Sequence, residues 1–536
     1  MAQNRSRARP IWTVDSETDP FKAGRIPAPF IWGVYTGESY HEFETTEEIV
    51  LFLYDKDVIV YAHNGGKFDW HFLLNYVPDG ERITIIAGRL AKFKIGNCEF
   101  RDSYNIIPAP LSQYQKDEID YAIFEAGERD KPENKKAISD YLKSDCVYLH
   151  EIVTDFIENY GINLTQASAA MKFWSKQSGI KKPNSGPNYY DRMKPFYYGG
   201  RVQCFESGII NDKFSVIDIN SAYPFAMVHN HAWGGEYESY DNLDGFSKEQ
   251  TERAFICLTA ESLGAFPYRG DDGSLSFPND KQLRKFNVTG WEYLAAIETE
   301  TLKRPEIHFV YSFLDKINFT EYVEHFFNIK DQAKQSGDKA QYLFAKIFLN
   351  ALYGKFASNP EKYEEFMVIP NDELAEHCEN NEWFYCRTIN QDSSIVNRPI
   401  SDDIKRYYDI SVSSSITGFV RAYLWRSICQ CGGVMYCDTD CIVARSIGPE
   451  LDIDPQRLGA WDIEANCVEG AIAGKKLYAF KKDNGDYKIA SKGVRLRPDQ
   501  IISVAKGVTL TYSPEVPTFS AKRAITFTPR KIKWTK

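Results

Sequence analysis

The sequence predicts a multidomain α/β and α+β protein, with an α/β domain first and a larger α+β unit after it. Three observations predict this. At 536 residues the chain exceeds the roughly 250–300 residues at which a single core stops growing, so at least two domains are expected. Within the first 165 residues, short apolar runs that end in turn residues precede one long stretch with the 3.6-residue apolar period of a helix. A segment rich in Pro, Gly and Asn, KKPNSGPNYYDRMKPFYYGGRV, then interrupts the pattern before strands and helices resume. The domains are accordingly placed at residues 1–165 and 166–536.

Taken in order, Ile11 to Val14 reads as a buried strand that breaks into the polar residues of IWTVDSETD. DVIVYAHNGGKFDWHFLL is a second strand, a glycine turn and the start of an amphipathic helix, and NKKAISDYLKSDCVYLHEIVTDFIENY is the long helix. Beyond the junction, KFSVIDINSAYPFAM is a strand with a break at Pro224. Val228 to Asn328 mixes strands and turns without a chemical motif. DKAQYLFAKIFLNALYGKF is a strong helix with Gly354 near its end, and YYDISVSSSITGFVRAYLWRSI is another. GGVMYCDTDCIVAR follows as a strand pair hinged at two aspartates. No internal repeat or low-complexity segment interrupts this order.

The apolar fraction of 43% and charged fraction of 26% are those of an ordinary soluble protein. MAQNRSRARP is basic but leads into no apolar h-region, so no signal peptide is expected, and no run approaches the roughly 20 apolar residues of a membrane span. Eleven cysteines, an odd number in a long chain, favour a reduced intracellular protein over a disulfide framework. A net charge of −10 argues against a passive nucleic-acid coat. It is compatible with an enzyme that holds nucleic acid in a local basic channel beside acidic sites. The basic terminus AKRAITFTPRKIKWTK reads either as a solvated tail or, through Phe527 and Trp534, as a packed element that contacts phosphate.

Two sets of carboxylates carry chemistry. Asp15 and Glu17 are two apart at a strand end and can face one side. Asp69 begins the helix after HNGGKF, and Asp145 lies one turn beyond Tyr141 on the long helix. Singly, each reads as a surface charge or a cap. Jointly, four carboxylates on one point would repel unless divalent cations sat among them, the arrangement needed for phosphodiester hydrolysis, with Tyr141 placed to orient the attacking water. Asn64 and Phe68 have the types to hold and stack a single-stranded end.

The second set starts with Asp218, a charge at the end of an apolar strand, costly unless paired or metal-bound. Asp438 and Asp440 sit between Cys437 and Cys441, which on these residues alone suits a metal site, a thiol site or a solvated turn. Zinc is disfavoured, because the spacing of Cys429, Cys431, Cys437 and Cys441 fits no common pattern. Lys346, Asn350 and Tyr353 fall at i, i+4, i+7 on one helical face, where a lysine can reach a triphosphate and a ring can stack near a base. The plain reading of that stripe is an amphipathic helix.

In order, D-x-E, N-x-x-x-F-D and Y-x-x-x-D resemble the three motifs of the DEDD 3′–5′ exonucleases. D-x-x-S-x-Y-P, K-x-x-x-N-x-x-Y-G and Y-x-D-T-D resemble motifs A, B and C of family B DNA polymerases. Shorter matches narrow the resemblance to the protein-primed phage enzymes: KDEIDY, Tyr197-Tyr198-Gly199-Gly200, YGKFASNPE, Thr417 to Arg421, and Lys476-Leu477-Tyr478. The likeness runs from about residue 10 to 480.

The resemblance implies an RNase H-like exonuclease domain followed by a right-hand polymerase of palm, fingers and thumb with two insertions. The palm motifs would lie at 214–227 and 432–445, the fingers at 329–360 and the thumb at about 485–536. The insertion at 228–328 would contact a terminal protein, and that at 361–409 would serve strand displacement and processivity. It further implies that Asp218, the Ile219 carbonyl and Asp440 hold two Mg²⁺ ions (Mn²⁺ substituting), with Asp438 beside them, and that Asp15, Glu17, Asp69 and Asp145 hold two more. Tyr223 would exclude a ribose 2′-OH, Lys346 would contact the triphosphate, and Asn350 and Tyr353 would shape the nascent pair. Either Lys330 or Lys334 would add a phosphate contact. Lys476 and Tyr478 would hold primer and template, with Tyr197, Gly199, Gly200, Thr417 and Arg421 also on the DNA. In the exonuclease, Lys116 matches a catalytic lysine, and Thr18, His63 and Ser103 would contact the single strand.

The implied partners are DNA, dNTPs and a terminal protein as primer, for a monomer in the cytoplasm of a bacterial host. Three positions depart from the family pattern: Cys441 for serine in motif C, Ala351 for serine in motif B, and Ala222 for leucine before the motif A tyrosine. None is a metal ligand. Two other functions remain open on sequence: a family B polymerase that uses nucleic-acid primers or none, and a non-catalytic replication scaffold.

Overall fold

The computed structural model describes residues 9–380, 382–401 and 404–534. The first strand does not end at Val14: it spans Ile11–Thr18 and carries both acids of D-x-E. The polar residues stay in the strand because it is paired on both sides, parallel to Ile59–Ala62 and antiparallel to Pro29–Tyr35. Interior pairing satisfies the backbone whatever the side chains. Behind this sheet lies the helix Pro132–Tyr160, opened by a proline at its first turn and closed by Gly161. Its buried positions Ile138, Tyr141, Leu142, Asp145, Cys146, Leu149, Ile152, Val153 and Phe156 form one stripe of helical period, so the period that packs the helix also buries Asp145.

The sheet is larger than the first domain. Its ten strands run Phe384–Thr388, Ser393–Pro399, Glu364–Pro370, Arg82–Ile86, Arg89–Ile95, Cys98–Asp102, Ile59–Ala62, Ile11–Thr18, Pro29–Tyr35, Tyr40–Phe43. The first three come from the interval 361–409 and join through Glu364–Pro370, antiparallel to Arg82–Ile86. Phe366, Val368 and Ile395 complete the apolar core of the first domain.

The second unit centres on an antiparallel sheet ordered Tyr487–Ser491, Leu477–Lys482, Trp461–Gly474, Phe214–Ile219, Cys441–Ser446, Gly432–Asp438, Val202–Cys204. Tyr487–Ser491 pairs with Leu477–Lys482 in this sheet, so residue 485, where the thumb is expected to begin, lies in the turn of a hairpin. Pro224 does not break the chain. It lies at the third residue of the helix Ala222–Met227, where its missing N–H has no intrahelical partner to lose. The 228–328 interval builds a four-stranded sheet, His231–Tyr240, Lys303–Ile317, Ala254–Glu261, Arg284–Thr289. Its expected end at 328 falls inside a helix, because the helical hairpin is Thr320–Ser336 with Lys339–Phe356.

The helix Ile410–Gln430 is buried along most of its length. Gly418 lets it approach Thr289, since a Cβ there would stand 2.2 Å from the threonine hydroxyl. One turn on, Arg421 donates to Glu292 at 2.7 Å and to the carbonyls of Tyr198 and Gly199 at 2.6 and 2.9 Å. Both side chains of the pair are only 1% exposed. Removing one partner of such a pair leaves a buried charge, so Glu292→Ala is expected to cost about 3–5 kcal/mol of stability. A denaturant midpoint unchanged in that variant would rule this out.

The basic C-terminus is packed at Ala521 and Trp534, each against an apolar core. Thr518–Ser520 and Arg523–Thr526 pair as a hairpin. Phe519 meets the rings of Phe68 at 5.3 Å and His71 at 5.2 Å, and Ala521 is buried in the core of the first domain. Lys522 pairs with Glu364, and Arg387 donates to the carbonyls of Ser520 and Arg523. No described helix is long and apolar enough to cross a membrane.

Candidate active sites

The first domain gathers four acids. Asp15 and Glu17 project from the first strand, Asp69 precedes the short helix Trp70–Leu73, and Asp145 comes from the long helix. Their proximity shows in their proton affinities. Burial, then the carboxylates of Asp69, Glu17 and Asp145, pushes Asp15 well above the usual carboxylate range. Burial and Asp145 push Glu17 up to about 8, and burial pushes Asp69 up to about 7 against the hydroxyl of Ser16, which donates to it. Asp145 Oδ2 accepts from Lys116 at 2.8 Å, while Asp145 Oδ1 is buried with no partner. Tyr141 and Tyr121 share a hydroxyl contact at 3.2 Å, and the Lys116 ammonium lies 5.1 Å from the Tyr141 ring.

Around this cluster, Asn64 takes a left-handed backbone (φ 63°), and its side-chain Oδ1 accepts from Arg89 at 2.6 Å. Phe68 is half-buried between Phe21, Phe72 and Phe519. His63 bonds Ser103 at 3.0 Å, and burial holds its imidazole down at about 4, hence neutral. Ser103, which the resemblance puts on the single strand, is fully buried and also donates to the Ala62 carbonyl at 3.1 Å. Thr18 is also buried, its hydroxyl on Asp19 O.

In the second unit, Asp218 ends the central strand. It stands opposite Cys441 on one side and Asp462 on the other. Asp438 and Asp440 flank the turn of the hairpin Gly432–Ser446, with Thr439 in the left-handed region at φ 62°. The Ile219 N–H donates to the Asp440 carbonyl at 2.8 Å, which locks the turn to the Asp218 strand. Burial first, then Asp440, pushes Asp218 up to about 7, and burial pushes Asp440 up to about 6. Asp438 differs: it is satisfied by Lys476 at 2.7 Å, the Tyr436 hydroxyl at 3.1 Å and Thr439.

Above these acids the rings of Tyr223 and Tyr353 stack at 4.2 Å and 10°. Lys346 and Asn350 are exposed on the same helix, and the Asn350 amide donates to the Lys346 carbonyl at 2.9 Å. A cleft of about 480 Å³ opens beside Lys346, lined also by Lys334, Asp338 and Lys339 with Gln113 of the first domain. Lys330 lies 4.2 Å from the Phe327 ring, its ammonium depressed by burial and then by Lys334 and Lys346. Tyr478 stacks on Phe480 at 4.3 Å, and Tyr197 and Gly200 stay partly accessible beside exposed Gly199. Thr417 and Arg421, which the resemblance puts on the DNA, are both 2% exposed. Thr417 bonds within its helix, and Arg421 grips the Tyr198–Gly199 backbone.

Residues 108–416 match the family model described as DNA polymerase type B, organellar and viral, more than half of the chain. A DNA-directed DNA polymerase of Enterobacteria phage PRD1 is 36% identical over 98% of each chain. The chain belongs to the type B DNA polymerases of organelles and viruses. A DNA polymerase of Bacillus phage Nf is 22% identical over 82% of this chain and 81% of that one. The phi29 DNA polymerase, solved with primer-template DNA and incoming nucleotide, shares the fold at TM-score 0.74 and 17% identity, covering 99% of this chain and all of that one.

The polymerase also has an acid that sequence reasoning missed. Glu464 on the strand Trp461–Gly474 adds to the raised proton affinity of both Asp218 and Asp440, and it pairs with Lys488. Only the pairing of that strand with Phe214–Ile219 brings it there, and its i+2 spacing from Asp462 was the available signal.

The polymerase's two acidic groups fit divalent cations. Asp145 Oδ1 is an orphaned buried acceptor, and no Lys or Arg among the described residues pairs with Asp15, Glu17, Asp69, Asp218 or Asp440. Among those residues no three acids already converge to ligating distance. A cation would draw them in and remove their repulsion. The folded protein therefore holds protons that the unfolded chain loses near pH 4, and Asp440, Asp69, Asp218 and Glu17 keep theirs up to the range of about 6 to 8. Stability without metal is expected to fall as pH rises through that window. Mg²⁺ at a hundredfold excess over its Kd should restore about 2.7 kcal/mol per site. Thermal melts at pH 5 and 8, with Mg²⁺ or with EDTA, test both statements; a melting temperature indifferent to Mg²⁺ at pH 8 refutes the fit.

Cys441 packs in an apolar cluster with Phe214, Val216 and Val443. Burial, and then Asp218, keeps its thiol well above the usual range, hence protonated. A neutral packing residue predicts that Cys441→Ser extends primers at least as fast as the parent. Its melting point should be lower, because an unpaired buried hydroxyl costs about 1–3 kcal/mol. A large loss of extension rate would assign the thiol a role.

Proposed function

We propose that the protein is a protein-primed DNA polymerase with a 3′–5′ proofreading exonuclease, working on primer-template DNA and dNTPs with Mg²⁺ or Mn²⁺. The observation that carries this reading is the pair of separate acidic groups, each assembled only on folding from strands, turns and helices distant in sequence. Bound at Asp218 and Asp440, and at Asp15, Glu17, Asp69 and Asp145, divalent cations would supply Lewis acidity to the attacking oxygen and offset charge on the leaving one.

The chain's own groups do the rest. Lys346, with Lys334 and Lys339 on the same cleft, offers positive charge to a triphosphate. The Tyr223–Tyr353 stack forms a flat floor against which a sugar and nascent pair can rest, and the tight 4.2 Å packing leaves Tyr223 little freedom to yield to a ribose 2′-OH. Lys476, held on Asp438, and Tyr478 are placed to steady the primer end. In the first domain, Lys116 orients Asp145, Tyr141 can position a water, and Asn64 and Phe68 offer an amide and a ring to an unpaired 3′ end.

Protein priming is supported by the similarity to the phage PRD1 and phi29 enzymes, and a terminal protein is the proposed partner of the 228–328 insertion. The experiment supplies origin DNA with and without a candidate terminal protein and looks for a nucleotide joined to a protein hydroxyl. Extension of an ordinary primer under Mg²⁺, with no protein–nucleotide adduct under any condition, would leave a nucleic-acid-primed enzyme.

A further inference from the structure

Arg201 is 1% exposed, yet among the described residues no carboxylate pairs with it. Its guanidinium is instead caged: 4.3 Å from the Phe277 ring, 4.4 Å from Trp425 and 5.6 Å from Phe205. It donates to the Gly264 carbonyl at 2.9 Å and to Gln203 Oε1 at 3.1 Å. A buried cation without a counter-ion is costly, and ring faces offset only part of that cost. For folding alone, an apolar side chain of similar length would serve as well. The planar fork adds direction, because several fixed acceptors pin the side chain and hence the backbone that carries it.

That backbone holds the catalytic turn. The Arg201 carbonyl accepts the Thr439 N–H at 2.6 Å, between Asp438 and Asp440. Thr439 has φ 62°, a left-handed conformation that a β-branched residue adopts only under restraint. Gly200 closes the contact, since a Cβ there would lie 2.8 Å from the Thr439 side chain. Val202 and Gln203 then pair with Asp438 and Cys437. Gly264 and Phe277 both belong to the 228–328 insertion, so the cage of Arg201 is partly built by a region remote in sequence from the turn.

We infer that Arg201 is a positioning residue for nucleotidyl transfer, fixing the Asp438–Thr439–Asp440 turn through its backbone while the first insertion fixes its side chain. This rests on the reading of Asp218 and Asp440 as the extension site, and it makes the insertion a determinant of that site's geometry. The test uses the full chain on primer-template DNA with Mg²⁺ titrated, comparing R201M, R201K and F277L with the parent. R201M is expected to lower kcat of extension about 10–100-fold, as loss of an outer-shell support does, and to raise the Mg²⁺ needed for half-maximal rate. The KM for dNTP should stay within about threefold, and 3′–5′ degradation should be unchanged. R201K should recover part of the rate, and F277L should shift the Mg²⁺ dependence in the same direction as R201M. The inference is overturned if R201M extends within about twofold of the parent, if extension and degradation fall together, or if R201K is no better than R201M. Asp440→Ala runs beside them: extension surviving in that variant would refute the site itself, separately from Arg201.

Discussion

Asp440→Ala is expected to abolish primer extension, by at least about 1,000-fold or roughly 4 kcal/mol of transition-state stabilisation, and to leave 3′–5′ degradation at the parental rate. The reason is local. Asp440 sits at a turn whose carbonyl is bonded to Ile219, and its carboxylate raises the proton affinity of Asp218. Alanine keeps the turn backbone and removes the charge, so the loss falls on whatever that pair holds. Degradation is proposed to use carboxylates carried by other strands and helices, those of the first domain. A labelled primer followed with and without dNTPs reads both rates in one preparation. Loss of both activities together, in a protein that still melts cooperatively, would mean that the two acidic groups are not independent sites.

The converse double change, Asp15→Ala with Glu17→Ala, should abolish degradation by a similar factor and leave extension. It should also raise stability in EDTA at neutral pH. Both carboxylates are pushed upward by burial and by their neighbours, so removing them relieves repulsion that the folded state otherwise carries. A catalytic cluster predicts this opposite sign, lower activity with a higher melting point, whereas a purely structural pair predicts the reverse. A variant that degrades 3′ ends normally, or melts lower than the parent in EDTA at pH 8, would remove the first domain from this role.

Much of both sites was legible because their members lie in short, ordered patterns. Asp145 could be placed because the apolar period of its helix also sets which face is buried, and Asp438 and Asp440 because a hairpin turn between apolar runs leaves few other shapes. The misplacements share a cause. The first strand passes Val14 because neighbours on both sides satisfy its backbone, and Pro224 is tolerated because it falls in a helix's first turn. Thr417 and Arg421, placed on the DNA by the resemblance, lie on a helix that is covered on nearly every side. Period along the chain cannot report how many neighbours a helix has.

The sequence by itself determined the two acid sets, their order, and the helical stripe of Lys346, Asn350 and Tyr353. All of these depend on residues close together or on motifs that carry their own spacing. Only the tertiary structure decided that the strands of 361–399 extend the sheet of the first domain, that Phe519, just ahead of the basic C-terminus, packs against Phe68, that Glu464 stands beside Asp218 and Asp440, and that Arg201 backs the Asp438–Asp440 turn. Those facts depend on strand pairing and side-chain burial between segments hundreds of residues apart. Backbone hydrogen bonds are the same for every sequence, and an isolated Arg or Glu carries no mark of the partner it will meet.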